Sequence, residues 1–522
     1  MNLRSFLFIP GVILLLGLAC NFPVGRATQQ PGDAIQQTLM VTLFPTPISE
    51  ATLPQIEPTR EETESPPYFP KTGLHTLSPE EVMTVTPVEE QFFRYLTQTG
   101  DTIEALAGRF GVSPEQIQSA KGWLSPESLL PAGQELIIPN QIGLVENSWA
   151  LIPDSEVIDS PSTVNFNIFT YVQEANGFLA SYQEEIDQEP YSGAQVIEQV
   201  AIENSINPRL LLAILEFQSH WVYGQPSDAK HMDYPIGFQV PEYRGLYKEL
   251  SLTVRQLTTG YYGWRSGKLT TLQFINHQQI RLAPELNAGS IALQMLFSQL
   301  YNQQEWKKVL YDPGDFLHTY QSMFGDPWKR AAQVEPLYPE TLQQPALELP
   351  FAPGTTWSLT GGPHNAWGVG SAQGGLDFAP TSSQSGCYIS PAWATASAAG
   401  LVVRSDHGVL VIDLDGDGHE QTGWNLVYLH LASLDRASVG TWVNKDDRLG
   451  HPSCEGGVTT GLHVHISRKY NGEWITAGPP LPFVLSGWLA HPGIYPYLGT
   501  LTKGDQVVTA KSDGSHTSLI SR

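Results

Sequence analysis

The sequence predicts a multidomain chain: a small βααβ module, an all-α middle domain and a mainly antiparallel β C-terminal domain. Three observations lead there. Between about 92 and 140, short β-prone ends flank two helical stretches. From 165 to 340, apolar residues recur at helical spacing, as in Val196, Ile197, Val200 and Ala201. From about 350 the texture changes to short β-rich runs punctuated by Gly. Composition agrees, since Gly 47 and Pro 40 among 522 residues exceed what a helical bundle would use. The 41% hydrophobic content, with 13 Trp, excludes a wholly disordered chain. With 28 basic against 52 acidic residues the net charge is −24, so no basic field exists to hold a polyphosphate backbone, and a nucleic-acid partner is not expected.

At the N-terminus, Arg4 precedes an apolar run from Phe6 to Ala19. That run is too short to span a bilayer and suits a secretory signal over 1–20. Its end, Leu16-Gly17-Leu18-Ala19-Cys20, resembles a bacterial lipoprotein cleavage box, although Gly17 stands where the pattern prefers Leu. The resemblance implies a lipid on Cys20 and a membrane anchor; the alternative is an ordinary secretory signal with a spare thiol. Residues 21–88 are rich in Pro, Thr and Glu, carry no helical or strand period, and read as a disordered stalk. As a flexible coil its ends would average ~45 Å apart.

Over 89–140 the run Gly100-Asp101-Thr102-Ile103, Leu106-Ala107, Phe110-Gly111-Val112 and Leu130-Pro131-Ala132-Gly133 through Ile137-Ile138-Pro139 resembles the LysM module, with Ser113-Pro114-Glu115 capping its second helix. The resemblance implies a βααβ fold that binds N-acetylglucosamine-containing glycans such as peptidoglycan.

In the helical region 165–340, Asn207-Pro208 through Ala213-Ile214-Leu215 to Ser219 looks like the start of a lytic transglycosylase. In that family a catalytic Glu precedes the Ser, and here the position is Gln218. An amide cannot protonate a glycosidic oxygen. Glu216, two residues earlier, faces about 200° away on a helix. The domain is therefore read as a degenerate, non-catalytic spacer or glycan-binding relic, with glycan cleavage through Glu216 as the rival.

The chemistry concentrates in 350–495. In Gly461-Leu462-His463-Val464-His465-Ile466 alternation puts His463 and His465 on one strand face, a pattern that suggests a metal site. His364, in Gly361-Gly362-Pro363-His364, precedes Asp377, in Leu376-Asp377-Phe378, and the Cys454-Glu455-Gly456-Gly457 run leads into the paired histidines. Together these resemble the β-lytic branch of the lysostaphin-type zinc endopeptidases. The resemblance implies one Zn2+ held by His364, Asp377 and His465 with an open fourth position. It also implies His463 as general base and His430, on the Tyr428-Leu429-His430 strand, as the group stabilising an oxyanion. The alternative for His430 is a structural strand histidine.

With Cys20 assigned to lipid, Cys387 and Cys454 remain, and an even pair in an exported chain reads as one disulfide. His419-Glu420 opens an H-E-x-x-H pattern that fails at Gly423. Asp413, Asp415 and Asp417 mimic a calcium loop, but Trp424 replaces its last ligand, so a hairpin turn is expected. His407 and His451 are expected at the surface, and 496–522 as a C-terminal tail. The combined expectation is an extracytoplasmic zinc endopeptidase of peptidoglycan stems or cross-bridges, directed to the wall by its glycan-binding module. A non-catalytic wall-binding or hydrolase-activating lipoprotein is the alternative.

Overall fold

The computed structural model describes residues 92–522, except 121, 123, 126, 127, 144, 146, 147, 340, 383, 385, 458 and 460. The 1–20 signal, Cys20 and the 21–88 stalk lie outside the described residues. Among the described residues, no helix is long and apolar enough to cross a membrane.

The first unit opens with β1 (Phe92–Leu96) and α1 (Ile103–Phe110). Thr102 caps α1 by accepting from the Ala105 N–H, and Gly111 closes it in the left-handed conformation. Next come β2 (Gln118–Ser119) and β3 (Glu135–Pro139), with β3 between β1 and β2. The expected second helix is corrected here: Ser113-Pro114-Glu115 starts a single 3-10 turn, Pro114–Gln116. None of its residues is buried, so it has no apolar face to hold further turns.

The middle region is mainly helical, with α2 (Gly193–Asn204), α3 (Pro208–Ser219), α4 (Leu246–Arg265) and α5 (Ala288–Ser298) around one core. It is not all-α. Two hairpins interrupt it, β4 (Gln183–Ile186) with β5 (Glu189–Ser192), and β6 (Thr271–Gln273) with β7 (Gln279–Arg281). In the first, Asp187 and Gln188 both take positive φ, which matches the twist of a two-residue hairpin turn. Strands of three or four residues give too little alternation to be read among helices. The segment ahead of residue 165 belongs here too, with Leu151, Ile152, Val157 and Ile158 buried in the same core.

The C-terminal region is built on a nine-stranded sheet. Its strands include β8 (Thr356–His364), β9 (Gly375–Pro380), β10 (Gly400–Asp406), β11 (Val409–Asp413), β12 (Trp424–Leu429), β13 (Trp442–Val443), β14 (Val464–Tyr470) and β15 (Glu473–Trp474). Beyond them, β16 (Trp488–Pro492), β17 (Gly499–Lys503) and β18 (Gln506–Thr509), with the short strand Val484–Leu485 on β16, form an adjoining four-stranded sheet, and β19 (Leu519–Ser521) follows. The spatial order is β13-β10-β11-β12-β14-β9-β8-β19, with β15 paired to β14. Residues 496–522 are therefore no tail. Leu501, Val508 and Ile520 are buried in the domain core, and β19 pairs with β8 through Ile520 and Trp357.

The two faces of this sheet have different partners. Leu410, Ile412, Leu426, Tyr428, Val464 and Ile466 point into the domain's own core. Val409, Val411, Val427 and Leu429 point the other way, into the core shared with the helices. Trp367, in the loop between β8 and β9, stacks on Trp474 at 6.2 Å within that shared core. Polar links run beside it: the Tyr262 hydroxyl accepts the Trp474 N–H at 3.0 Å, and the Gln421 amide donates to Asp159 at 2.9 Å.

Candidate metal centre

Neighbouring strands bring the ligand candidates together. In the sheet register Asp377 of β9 stands opposite His465 of β14, which stands opposite Leu429 of β12. His364 ends β8, opposite Gly375. Leu376 and Phe378 fill the domain core, so alternation turns Asp377 to the opposite face, as it does His465 between Val464 and Ile466. Room is made by glycines: a Cβ on Gly361 would run into the Asp377 carboxylate, and one on Gly375 into the His465 ring.

The three side chains converge. His364 Nε2 lies 3.0 Å from His465 Nδ1 and 3.3 Å from Asp377 Oδ1, and His465 Nδ1 lies 3.1 Å from the same oxygen. The outward nitrogens are committed to carbonyls, since His364 Nδ1 donates to Gly362 at 2.8 Å and His465 Nε2 donates to Ala366 at 3.0 Å. In the neutral rings the inward nitrogens are then lone pairs. Two imidazole lone pairs and a carboxylate oxygen thus face one another with no donor among them, an arrangement that a cation satisfies. With ligand bonds of about 2.0–2.1 Å, the edge of a tetrahedral zinc site is roughly 3.3 Å, close to the observed triangle. All three residues are buried.

Electrostatics follows the geometry. Burial would push Asp377 up, but the surrounding imidazoles, His364 foremost, hold it well below the usual carboxylate range. Burial would lower His364, and the Asp377 charge outweighs it and holds that imidazole above its ordinary value. Burial lowers His465.

His463 Nε2 lies 3.6 Å from Asp377 Oδ1, and its Nδ1 donates to Gly461 at 2.9 Å, so a lone pair faces the centre. His430, at φ +64° just after β12, packs its ring 4.5 Å from that of His463. Its Nδ1 donates to the Glu455 carbonyl at 2.9 Å. Burial, with His463 and His465 beside it, pushes His430 down to about 3, so it is neutral near pH 7. In that form its Nε2 accepts, and it donates to an oxyanion only once protonated.

Cys387 and Cys454 are joined, with their Cα atoms 5.6 Å apart, and Cys454 directly precedes the Glu455 that holds His430. One participant was not legible in the sequence: Tyr497 stacks on His364 at 4.1 Å and exposes half of its surface. It lies in the stretch read as a tail. The Gly361-Gly362 pair before His364 was the readable sign of tight packing.

Other candidates resolve into structural parts. Glu216 accepts the Val222 and Tyr223 N–H groups at 2.9 and 3.0 Å, latching the chain after α3. The Gln218 oxygen accepts from the Tyr301 hydroxyl at 2.6 Å. Asp413, Asp415 and Asp417 do cluster, but the Asp413 carboxylate accepts the N–H groups of Asp415, Gly416 and Gly418, as a turn former does. Glu420 is buried between Arg404 and Lys469. His407 is exposed, whereas His451 is not at the surface as expected: its ring packs on Trp393 at 3.9 Å and its Nδ1 donates to Ala392.

Comparison with known proteins adds relatives to this geometry. The LasA N-terminal domain family matches residues 150–338, and the LysM domain family matches residues 95–139. Protease LasA of Pseudomonas aeruginosa is 26% identical over 334 residues, covering 60% of this chain and 75% of that protein. Beta-lytic metalloendopeptidase of Lysobacter enzymogenes is 30% identical over 135 residues, covering 24% of this chain and 71% of that protein. Among solved structures, the M23 metalloprotease pseudoalterin is 23% identical and covers 33% of this chain and 96% of its own, with a TM-score of 0.27.

Proposed function

The chain belongs to the lysostaphin-type M23 metallopeptidases, and from that premise we propose that it is a zinc-dependent endopeptidase hydrolysing peptide bonds in peptidoglycan stems or cross-bridges. The observation that carries this reading is the triangle of His364 Nε2, Asp377 Oδ1 and His465 Nδ1, with sides of 3.0 to 3.3 Å, which in the neutral rings holds no donor.

In this reading His364, Asp377 and His465 hold one Zn2+. When bound, the metal supplies Lewis-acid activation of water and of the scissile carbonyl. The protein supplies the rest. His463, its Nδ1–H fixed on Gly461, offers Nε2 as the base that takes a proton from the attacking water. His430, its Nδ1–H fixed on Glu455, stands beside His463. A proton passed on from His463, which takes it from the water, lets His430 donate from Nε2 to the developing oxyanion and steady it. Tyr497, stacked on His364, fixes the plane of that ligand ring.

The LysM unit holds the glycan, and the diacylated Cys20 tethers the chain outside the cytoplasm at the membrane. Holding the polymer near the peptidase raises the local concentration of peptide bonds without any new contact at the catalytic residues. The test is digestion of purified peptidoglycan by the full chain, with and without a chelator, followed by mass spectrometry of the released muropeptides. New amino termini that vanish with the chelator are expected. Their absence in zinc-loaded protein refutes the peptidase reading, and anhydro-sugar ends would point to glycan cleavage instead.

A further inference from the structure

Away from the metal centre, the helical region contains a cavity of about 200 Å³ lined by Gln218, Lys230, His231, Tyr234, Ile236, Gly237, Gln239, Leu300 and Tyr301. The rim of this cavity is braced from behind. The buried Glu249 carboxylate accepts the N–H groups of Ile236, Gly237 and Gln239 at 2.9, 2.7 and 3.3 Å, fixing that loop although Gln239 sits at positive φ. Also in the lining, the Tyr301 hydroxyl donates to the Gln218 oxygen, and this orients the amide. The two N–H donors of Gln218 are left without an acceptor among the described residues. His231 Nδ1 is tied to Asp228 at 2.8 Å.

The lining is two tyrosines, two primary amides, an imidazole and aliphatic Ile236 and Leu300, with Lys230 as its one cation and no carboxylate. Without a carboxylate it cannot perform the acid–base chemistry of glycoside cleavage. Aromatic faces beside oriented amide donors suit a ligand with apolar C–H faces and carbonyl or hydroxyl acceptors. The volume, below that of a drug-sized site, suits a single ring. We propose that this cavity binds one N-acetylated sugar unit of a glycan strand, with Gln218 donating to its acetamido or hydroxyl oxygen and Tyr234 and Tyr301 packing on the ring. The proposal deepens the cell-wall reading by giving the peptidase a second handhold on the polymer. It rests on that reading only for the source of the sugar.

The test uses the full chain and a soluble tetramer of β-1,4-linked N-acetylglucosamine, which contains no peptide and so is blind to peptidase activity. Hydrogen exchange is followed region by region, with cellotetraose as the control lacking acetamido groups. The N-acetylated tetramer is expected to slow exchange over 230–240, and cellotetraose is not. Gln218→Ala and Tyr234→Ala each weaken that effect about five- to tenfold, the loss of one hydrogen bond or one ring contact, with exchange over 92–139 unchanged as the check on folding. Slowing confined to 92–139 overturns the proposal, as does equal slowing by cellotetraose or an undiminished effect in both variants. Loss of peptidase activity with retained slowing at 230–240 refutes the enzyme reading and leaves the sugar site standing.

Discussion

Arg265 and Glu473, 208 positions apart, meet in a buried, doubly bonded ion pair, Nε to Oε1 at 2.9 Å and Nη2 to Oε2 at 3.1 Å. The same guanidinium reaches Asp154 at 3.0 Å and donates to the Thr99 carbonyl, so one side chain touches the LysM unit, the helices and the β domain. Removing it strands two buried carboxylates. Arg265→Met is expected to cost about 3–5 kcal/mol and to split denaturant unfolding into separate transitions. A single transition at the wild-type midpoint would show that the three parts are held by their apolar contacts alone.

The ligand triangle predicts a shared phenotype. His364→Ala, Asp377→Ala and His465→Ala should each lose stoichiometric zinc and lower the rate of muropeptide release at least ~10³-fold, the scale of several kcal/mol of transition-state stabilisation. Metal analysis beside the rate assay checks both halves, and retained zinc in any of the three removes that residue from the ligand set.

The two remaining histidines predict the opposite pairing of metal and rate. His463→Gln should keep zinc and lower kcat ~10²- to 10⁴-fold, and His430→Gln should keep zinc and lower it ~10²- to 10³-fold. A change confined to KM in either variant would assign that histidine to substrate binding.

The disulfide closes a separation of 67 residues, for which the chain-entropy account allows up to about 4 kcal/mol of stabilisation. Cys387→Ser should therefore lower the thermal midpoint. It should also lower kcat more than KM, because Glu455, next to Cys454, positions His430. Unchanged kinetics in the destabilised variant would separate the bridge from the catalytic residues.

Asp159, buried where the helices meet the sheet, predicts a pH effect. Burial pushes its carboxyl up to about 6, despite the hydrogen bond from Thr163 and the nearby Lys469 charge. The folded state therefore holds this proton more tightly than the unfolded chain does. The group's contribution is most favourable below about pH 4 and is lost as pH rises toward 6, by about 3 kcal/mol in all. Asp159→Asn should flatten the fall in stability across that window, measured by unfolding between pH 4 and 7. A wild-type slope in the variant refutes the assignment.

The proposed metal site is more legible in the sequence than the framework around it. His463 and His465 advertise themselves through period-2 alternation, a local signal, and His364 and Asp377 through a resemblance carried by few residues. His430 comes from the same resemblance, but the direction of its proton does not, because that depends on the Glu455 carbonyl, 25 positions away. The β4–β5 hairpin was missed because four-residue strands leave no period to detect. The stretch after 495 reads as a tail because its strands gain their meaning only from distant partners, Ile520 from Trp357 among them. Tyr497 was invisible for the same reason.

Val409, Val411, Val427 and Leu429 form an aliphatic strip on the sheet face toward which Asp377 and His465 also turn, and the strip is roofed by the helices. Cutting the chain near residue 345 to obtain the β half alone would bare this strip, with Trp367 and Trp474 beside it. Such a fragment would expose the kind of contiguous greasy area that drives self-association. A soluble miniature enzyme would have to carry the helices with it or exchange the strip for polar side chains, leaving the histidines untouched.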